Sequence, residues 1–477
     1  MSFTDHIFFL FLPLVFAVYW FALGRSRTMQ NLFLVAASYF FYGFVHWRWL
    51  LLIGASSLCS YGAGMMIERG RGRGKRALLA HIANIAVNLG ILCLFKYYNF
   101  FVSAFAEAFH MQPRLLPFLL PVGISFYTLQ AISYTIDVYR GKVDAEKNIV
   151  TLFAYLSFFP QLVAGPIERA GHLLPQFRMP RKLEYDAAAD GLRMALWGYF
   201  KKVVIADGCV YFTAPVFASW QTQDASSLLL GAVLFSFQIY CDFSGYSDIA
   251  VGLARLFGIR LRQNFATPFF SRNIGEFWRR WHISLTSWFR DYVYFPLGGS
   301  RCRKGRVVFN TVVVFFLSGL WHGANWTYMA WGAFHAMLFV PMILSGKSGR
   351  YRDVPAAGRK LPSGKESLQM TLTFFLFVLG AIIFRSQTLA GAWGYFCGLF
   401  SWEVFNACWR FFTLDPVLVL SIPLLLAVDW IDRDQPHALQ MRGIRPRMLR
   451  YVIYALLLAA IILCFSGNAP QFIYFQF

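Results

Sequence analysis

The sequence predicts an all-α, polytopic membrane protein: a single domain over 1–477 with about 11–13 membrane-crossing or re-entrant helices of the ~20-residue length a bilayer requires. Three observations predict it. Hydrophobic residues make up 58% of the chain and charged residues only 14%, whereas a soluble domain carries about 25% charged residues; mean hydropathy is +0.50. Apolar runs recur from end to end. The basic residues collect in the short connections between those runs. A net charge of +21 could otherwise suggest nucleic acid, but this distribution is the positive-inside pattern of a membrane protein and argues against it.

Taken in order, apolar runs fall near 7–23, 29–45, 47–66, 77–102, 116–138, 148–165, 190–213, 226–257, 307–322, 325–345, 368–385, 414–431 and 450–466. Met1 to His6 has no basic leader, so the first run reads as a retained span and not a cleaved signal. Arg25–Arg27, Arg69–Arg76 and Arg140–Lys147 lie two runs apart, as do Arg301–Arg306, Lys347–Lys365 and Arg433–Arg450. Placing all of them in the cytoplasm leaves both termini facing outward. The basic stretch 166–189 breaks the alternation, and a re-entrant or surface-lying segment would accommodate it.

Residues 272–292 read differently. Trp278, Trp281, His282, Leu285, Trp288, Phe289 and Tyr292 recur every three or four positions, with Arg279, Arg280, Ser287, Arg290 and Asp291 opposite. That spacing predicts an amphipathic interfacial helix with His282 on its apolar stripe.

The chemistry concentrates in Ser318-Gly319-Leu320-Trp321-His322-Gly323-Ala324-Asn325-Trp326 and in His335. Imidazoles and amides are costly in hydrocarbon unless paired or lining a cavity. On a helix rising from the Arg301–Arg306 connection, His322 lies roughly 24 Å up, in the middle-to-outer bilayer. Desolvation favours the neutral imidazole, the form that accepts a proton from an alcohol. Asn325, three residues on, is within reach of the same face. The competing reading is a histidine bonded to a carbonyl between helices. His335 shares a face with His322 only if Gly323-Ala324-Asn325 breaks the helix, and structural support is its first reading. For His282, a satisfied core histidine and a catalytic or gating group stand level.

Asp242 and Asp248 lie inside an apolar run and need partners, for which Arg279 and Arg280 are candidates. A scaffold around the site is their first reading and direct catalysis the second. Ser244, Gly245 and Ser247 suit close helix packing. The eight cysteines are scattered without CxxC or zinc spacing, and no third ligand completes a two-histidine metal site. Nucleophile-elbow, Walker A, HExxH and GxGxxG patterns are absent.

Six segments carry a family resemblance: Leu120–Tyr127, Phe159–Ile167, Asp242–Asp248, Glu276–Leu285, Trp288–Tyr292 and Gly319–Trp326. In their order across 120–345 the chain resembles the membrane-bound O-acyltransferase family. It is most similar to the bacterial branch that holds the alginate O-acetylation and teichoic-acid D-alanylation membrane proteins. The Phe-Ile-Tyr-Phe-Gln-Phe ending at 472–477 fits as well, whereas Ala336 stands where glycine is frequent in the family.

The resemblance implies a helical bundle around a tunnel, with an invariant histidine at His322 and a second polar position at His282. From their place in the same stretch, Trp321, Asn325 and His335 are expected to support them. It also implies acetyl-CoA as the donor substrate, no bound cofactor, and a periplasmic or membrane-anchored acetyltransferase partner that passes the acetyl group to a polysaccharide. The expected activity is O-acetylation of an exopolysaccharide such as alginate, in the bacterial inner membrane. The alternatives are transfer of D-alanyl or another acyl group to an envelope polymer, a transporter-like channel with a histidine proton relay, or a non-catalytic assembly subunit.

Overall fold

A computed structural model describes residues 1–70, 74–117, 119–347, 349–435, 437–441, 444, 446–465 and 472–473. Among these, regular structure is entirely helical. Parts of the expected basic connections at 69–76 and 433–450, and most of the tail and its aromatic ending, lie outside the described residues. The chain packs as two compact units, Met1–Leu192 with Ile249–Arg262, and Arg193–Asp248 with Gln263–Phe477.

Among the described residues, seven helices are long and apolar enough to cross a membrane, or eight if the bent pair Trp402–Phe411 and Pro416–Ile431 counts as one span. The expected 11–13 spans therefore include segments that do not qualify alone. The run at 148–165 divides into the short helices Ile149–Ser157 and Phe159–Leu162. The run at 116–138 becomes helical only from Ile124, after Gly123 adopts φ +76°. The helical stretch 185–218 carries Lys201, Lys202 and Asp207 in its interior.

In the first unit, helices Trp49–Arg69, Lys75–Leu92 and Ile124–Tyr139 pack through buried polar side chains. Ser56 donates to Asn88 at 2.5 Å, Ser60 to Asn84 at 3.1 Å and Asn84 to Thr135 at 2.8 Å. Where lipid supplies no hydrophobic drive between helices, such bonds and small-residue contacts hold them together.

The second unit contains the histidine-bearing stretches. Helix Lys304–His322 ends where Gly323 turns extended, and Trp326–Leu344 follows after Asn325. The two helices run back against each other with no side chain between them at two places. A Cβ at Gly319 would strike the Tyr328 carbonyl, and one at Gly332 the Phe315 carbonyl. Gly245 makes a third close crossing, 2.7 Å from Gly198 O for an added Cβ, which supports the packing role read for the small residues there.

The stretch 272–292 is not one amphipathic helix. It consists of Ile274–Arg280, a break at Trp281 and His282, Ile283–Phe289 and a π-helical turn, Arg290–Tyr294. His282 adopts φ +44°, ψ +52°, a left-handed conformation that costs a non-glycine residue about 1–3 kcal/mol. The periodicity misled because both short helices face their aromatic residues inward while the chain turns between them.

Candidate functional site

The break that corrects the helix also places His282. The Asn264 side-chain carbonyl accepts from Ser284 Oγ at 2.7 Å and Ser284 N at 3.2 Å, and lies 3.3 Å from His282 Nδ1. The Asn264 backbone carbonyl accepts from Ile283 N at 2.9 Å, and its amide donates to Ser247 at 3.1 Å. One asparagine thus fastens the strained turn and draws the Nδ1 proton toward itself, directing the Nε2 lone pair elsewhere. His282 is almost fully buried, and loss of solvation lowers its pKa to about 3, so the ring is neutral at physiological pH.

His322 is the last residue of a 19-residue helix, about 28 Å from its basic start at 1.5 Å per residue. It is buried. Its ring meets Trp331 edge to face at 5.0 Å, Phe384 at 5.4 Å and its neighbour Trp321 at 5.0 Å. Trp321 in turn meets His282 at 5.7 Å. The two histidines, separated by forty positions, therefore share one indole. Phe243 closes the other side of His282 at 4.6 Å.

His335 joins the cluster through Trp331 at 4.9 Å, with Trp278 at 5.0 Å and Phe315 at 6.2 Å. The helix break at Gly323 brings it there, as the angular argument required. It is fully buried, and neither ring nitrogen has a hydrogen-bond partner among the described residues. A Cβ added at Gly380 would approach its Nε2 to 2.9 Å.

Three expected placements are corrected. Asn325 does not turn toward His322: its carbonyl accepts from Thr327 N at 3.1 Å, capping the next helix, and its amide donates to Gln387 O at 3.0 Å. That is the ordinary use of asparagine before a helix. Arg280 pairs with Glu276 at 3.0 Å, and Arg279 donates to the carbonyls of Arg350 and Tyr351. Neither arginine serves the buried aspartates.

Those partners are lysines that sequence reasoning missed. Lys202 bridges Asp242 at 2.7 Å and Asp207 at 2.8 Å, and Lys201 pairs with Asp248 at 2.6 Å. Asp242 also accepts from Ile473 N at 2.7 Å. The signal was present: two adjacent lysines in one apolar run and two aspartates in the next demand each other. Asn264 had no comparable signal, since its role follows from a turn that periodicity concealed. Among the described residues, no group of three His, Cys, Asp or Glu side chains could hold a metal ion.

An all-helical bundle with membrane-length helices is the frame of a multi-pass membrane protein, and the chain belongs to the membrane-bound O-acyltransferase family. Residues 144–347 match that family's profile. The chain is 41% identical over 406 residues to the protein of Pseudomonas aeruginosa named probable alginate O-acetylase AlgI, covering 84% of this chain and 75% of that one. A Pseudomonas putida protein of the same name is 35% identical over 507 residues and the full length of both chains. The peptidoglycan O-acetyltransferase of Helicobacter pylori is 34% identical over 418 residues, 82% of this chain and 77% of that one. The protein is an acyltransferase and a multi-pass membrane protein.

Proposed function

We propose that this enzyme takes an acetyl group from acetyl-CoA on the cytoplasmic side of a bacterial inner membrane and delivers it for O-acetylation of an exopolysaccharide of the alginate type. The similarity to alginate O-acetylases supports the polymer class. A periplasmic or membrane-anchored acetyltransferase partner completes the transfer, and both termini lie in the periplasm.

The observation that carries the catalytic assignment is the shared Trp321 between His282 and His322. His322 acts as general base: a ring nitrogen takes the proton as an acceptor hydroxyl attacks the thioester carbonyl carbon. The carbon–sulfur bond then breaks, and the proton passes to the departing thiolate. His282, held neutral with its Nδ1 proton directed at Asn264, presents the Nε2 lone pair as an acceptor and steers the donor. Trp321, Trp331 and His335 exclude water around the two rings. Asp242 and Asp248, with their lysines, brace the helices behind them.

The test is transfer of labelled acetyl from acetyl-CoA in vesicles holding the protein and its partner, with alginate oligosaccharide as acceptor. Labelled polymer with wild type and none with His322→Ala is expected. Movement of acetyl-CoA or free acetate across the membrane without covalent transfer would instead favour a transporter. Transfer of D-alanyl but not acetyl would replace the acyl group.

A further inference from the structure

The first unit contains a cavity of about 650 Å³ bordered by Arg181, Lys182, Arg260 and the first turn of helix Tyr185–Tyr199. Arg181 is the unusual member. It is 7% exposed, yet only Nη2 has a sound hydrogen bond, to Asn31 at 2.5 Å; Nε and Nη1 have none. The guanidinium lies 5.4 Å from the Phe177 ring centre and 5.6 Å from that of Tyr19, whose hydroxyl is close enough to interact with it but donates to Phe257 O at 3.1 Å. Among the described residues no carboxylate pairs with it, and the charged side chain that acts on it is another cation, Arg27. Burying such a charge without a counter-ion is expensive unless something else supplies it.

The rest of the wall indicates what that is. Arg255 is already paired with Asp190. Gln176 ties down the Arg260 backbone, accepting from its N–H at 2.8 Å and donating to its carbonyl at 2.9 Å. Glu184 and Asp186 stand exposed at the helix start. Four cationic side chains against three carboxylates leave one net positive charge around the cavity. That balance suits a monoanion better than a dianionic phosphate ester. Met179, Leu183 and Tyr185 expose 63%, 44% and 83% of their surfaces beside it, as side chains at an interface with lipid do.

We propose that this cavity binds the phosphodiester of a membrane phospholipid headgroup, with Arg181 as its buried anchor and Lys182 and Arg260 completing the phosphate contacts. Arginine's planar fork suits two phosphate oxygens at once. The inference does not depend on the acyl-transfer reading. The bound headgroup would fix the 179–190 segment, which carries the basic residues that fit no span, at the membrane surface.

The experiment uses the full-length protein, stripped of lipid in detergent and examined by native mass spectrometry with three probes: phosphatidylglycerol, diacylglycerol of the same chains, and inorganic phosphate. Retention of one phosphatidylglycerol per chain, without diacylglycerol, is expected. Arg181→Gln should lower that retention by about tenfold or more, the scale of a lost charged hydrogen bond. Because Arg181 also holds Asn31, the exposed pair Lys182→Gln with Arg260→Gln provides a second variant that spares the core and should weaken binding similarly. Equal retention by both variants, or equal retention of diacylglycerol, would overturn the proposal. Binding of inorganic phosphate at millimolar concentration with no phosphatidylglycerol retained would overturn the lipid assignment.

Discussion

The His282 imidazole meets the Trp321 indole at 5.7 Å between ring centres. This contact links a strained turn to the end of the helix that carries His322. A single indole thus touches both imidazoles.

Asn264→Ala tests that linkage. It removes the acceptor shared by His282 and Ser284, so the turn relaxes and the imidazole loses its orientation. Turnover should fall roughly 10–100-fold, as a small misplacement of a positioned group does, with little change in apparent donor affinity. Unchanged turnover in a variant of lowered thermal stability would reduce Asn264 to a structural role.

Much of this arrangement was legible in the sequence, and the gaps have physical reasons. His322 and its tryptophans stood out because polar groups in hydrocarbon are costly. The break at Gly323 that brings His335 into the cluster was recognised as a condition. The path of 272–292 was not, because two short helices and one long amphipathic helix have the same spacing of aromatic residues. Asn325 was drawn toward the site by proximity in sequence, while its capping role depends on where the next helix begins.

Lys202→Met should be severely destabilising. It strands Asp207 and Asp242, both within 2.8 Å of the ammonium, and breaking a buried pair from one side costs about 3–5 kcal/mol. Adding Asp242→Asn and Asp207→Asn should recover expression in the membrane. Wild-type yields of the single variant in a thermal-aggregation assay would show the network to be dispensable.

Stability should depend on pH through His282. The folded ring is held down to about 3, whereas in an unfolded chain it titrates near ~6.5. Between these values the unfolded state binds a proton that the folded state does not. Stability from this group is therefore intact above about 6.5 and is lost as pH falls toward 3. Melting temperature in detergent should decline between pH 6.5 and 4.5 more steeply for wild type than for His282→Gln. Parallel declines would contradict the buried neutral ring.

The proposed sidedness is accessible to single cysteines in an otherwise cysteine-free chain. Gly74→Cys, exposed beside Lys75 and Arg76, and His110→Cys, exposed beyond the next long helix, should react with impermeant thiol reagents from opposite faces. Gly74 should label only from the cytoplasmic side. Labelling of both from one face, or reversed access, would defeat the cytoplasmic placement of the basic connections.

The most direct test of the central claim is the rate of acetyl transfer by His322→Ala, measured with saturating acetyl-CoA in inside-out vesicles containing the partner and polymer acceptor. Removal of a general base predicts a loss of roughly 10²–10⁴-fold, with membrane insertion and expression near wild type. A correctly inserted variant retaining more than about a tenth of the wild-type rate would contradict it.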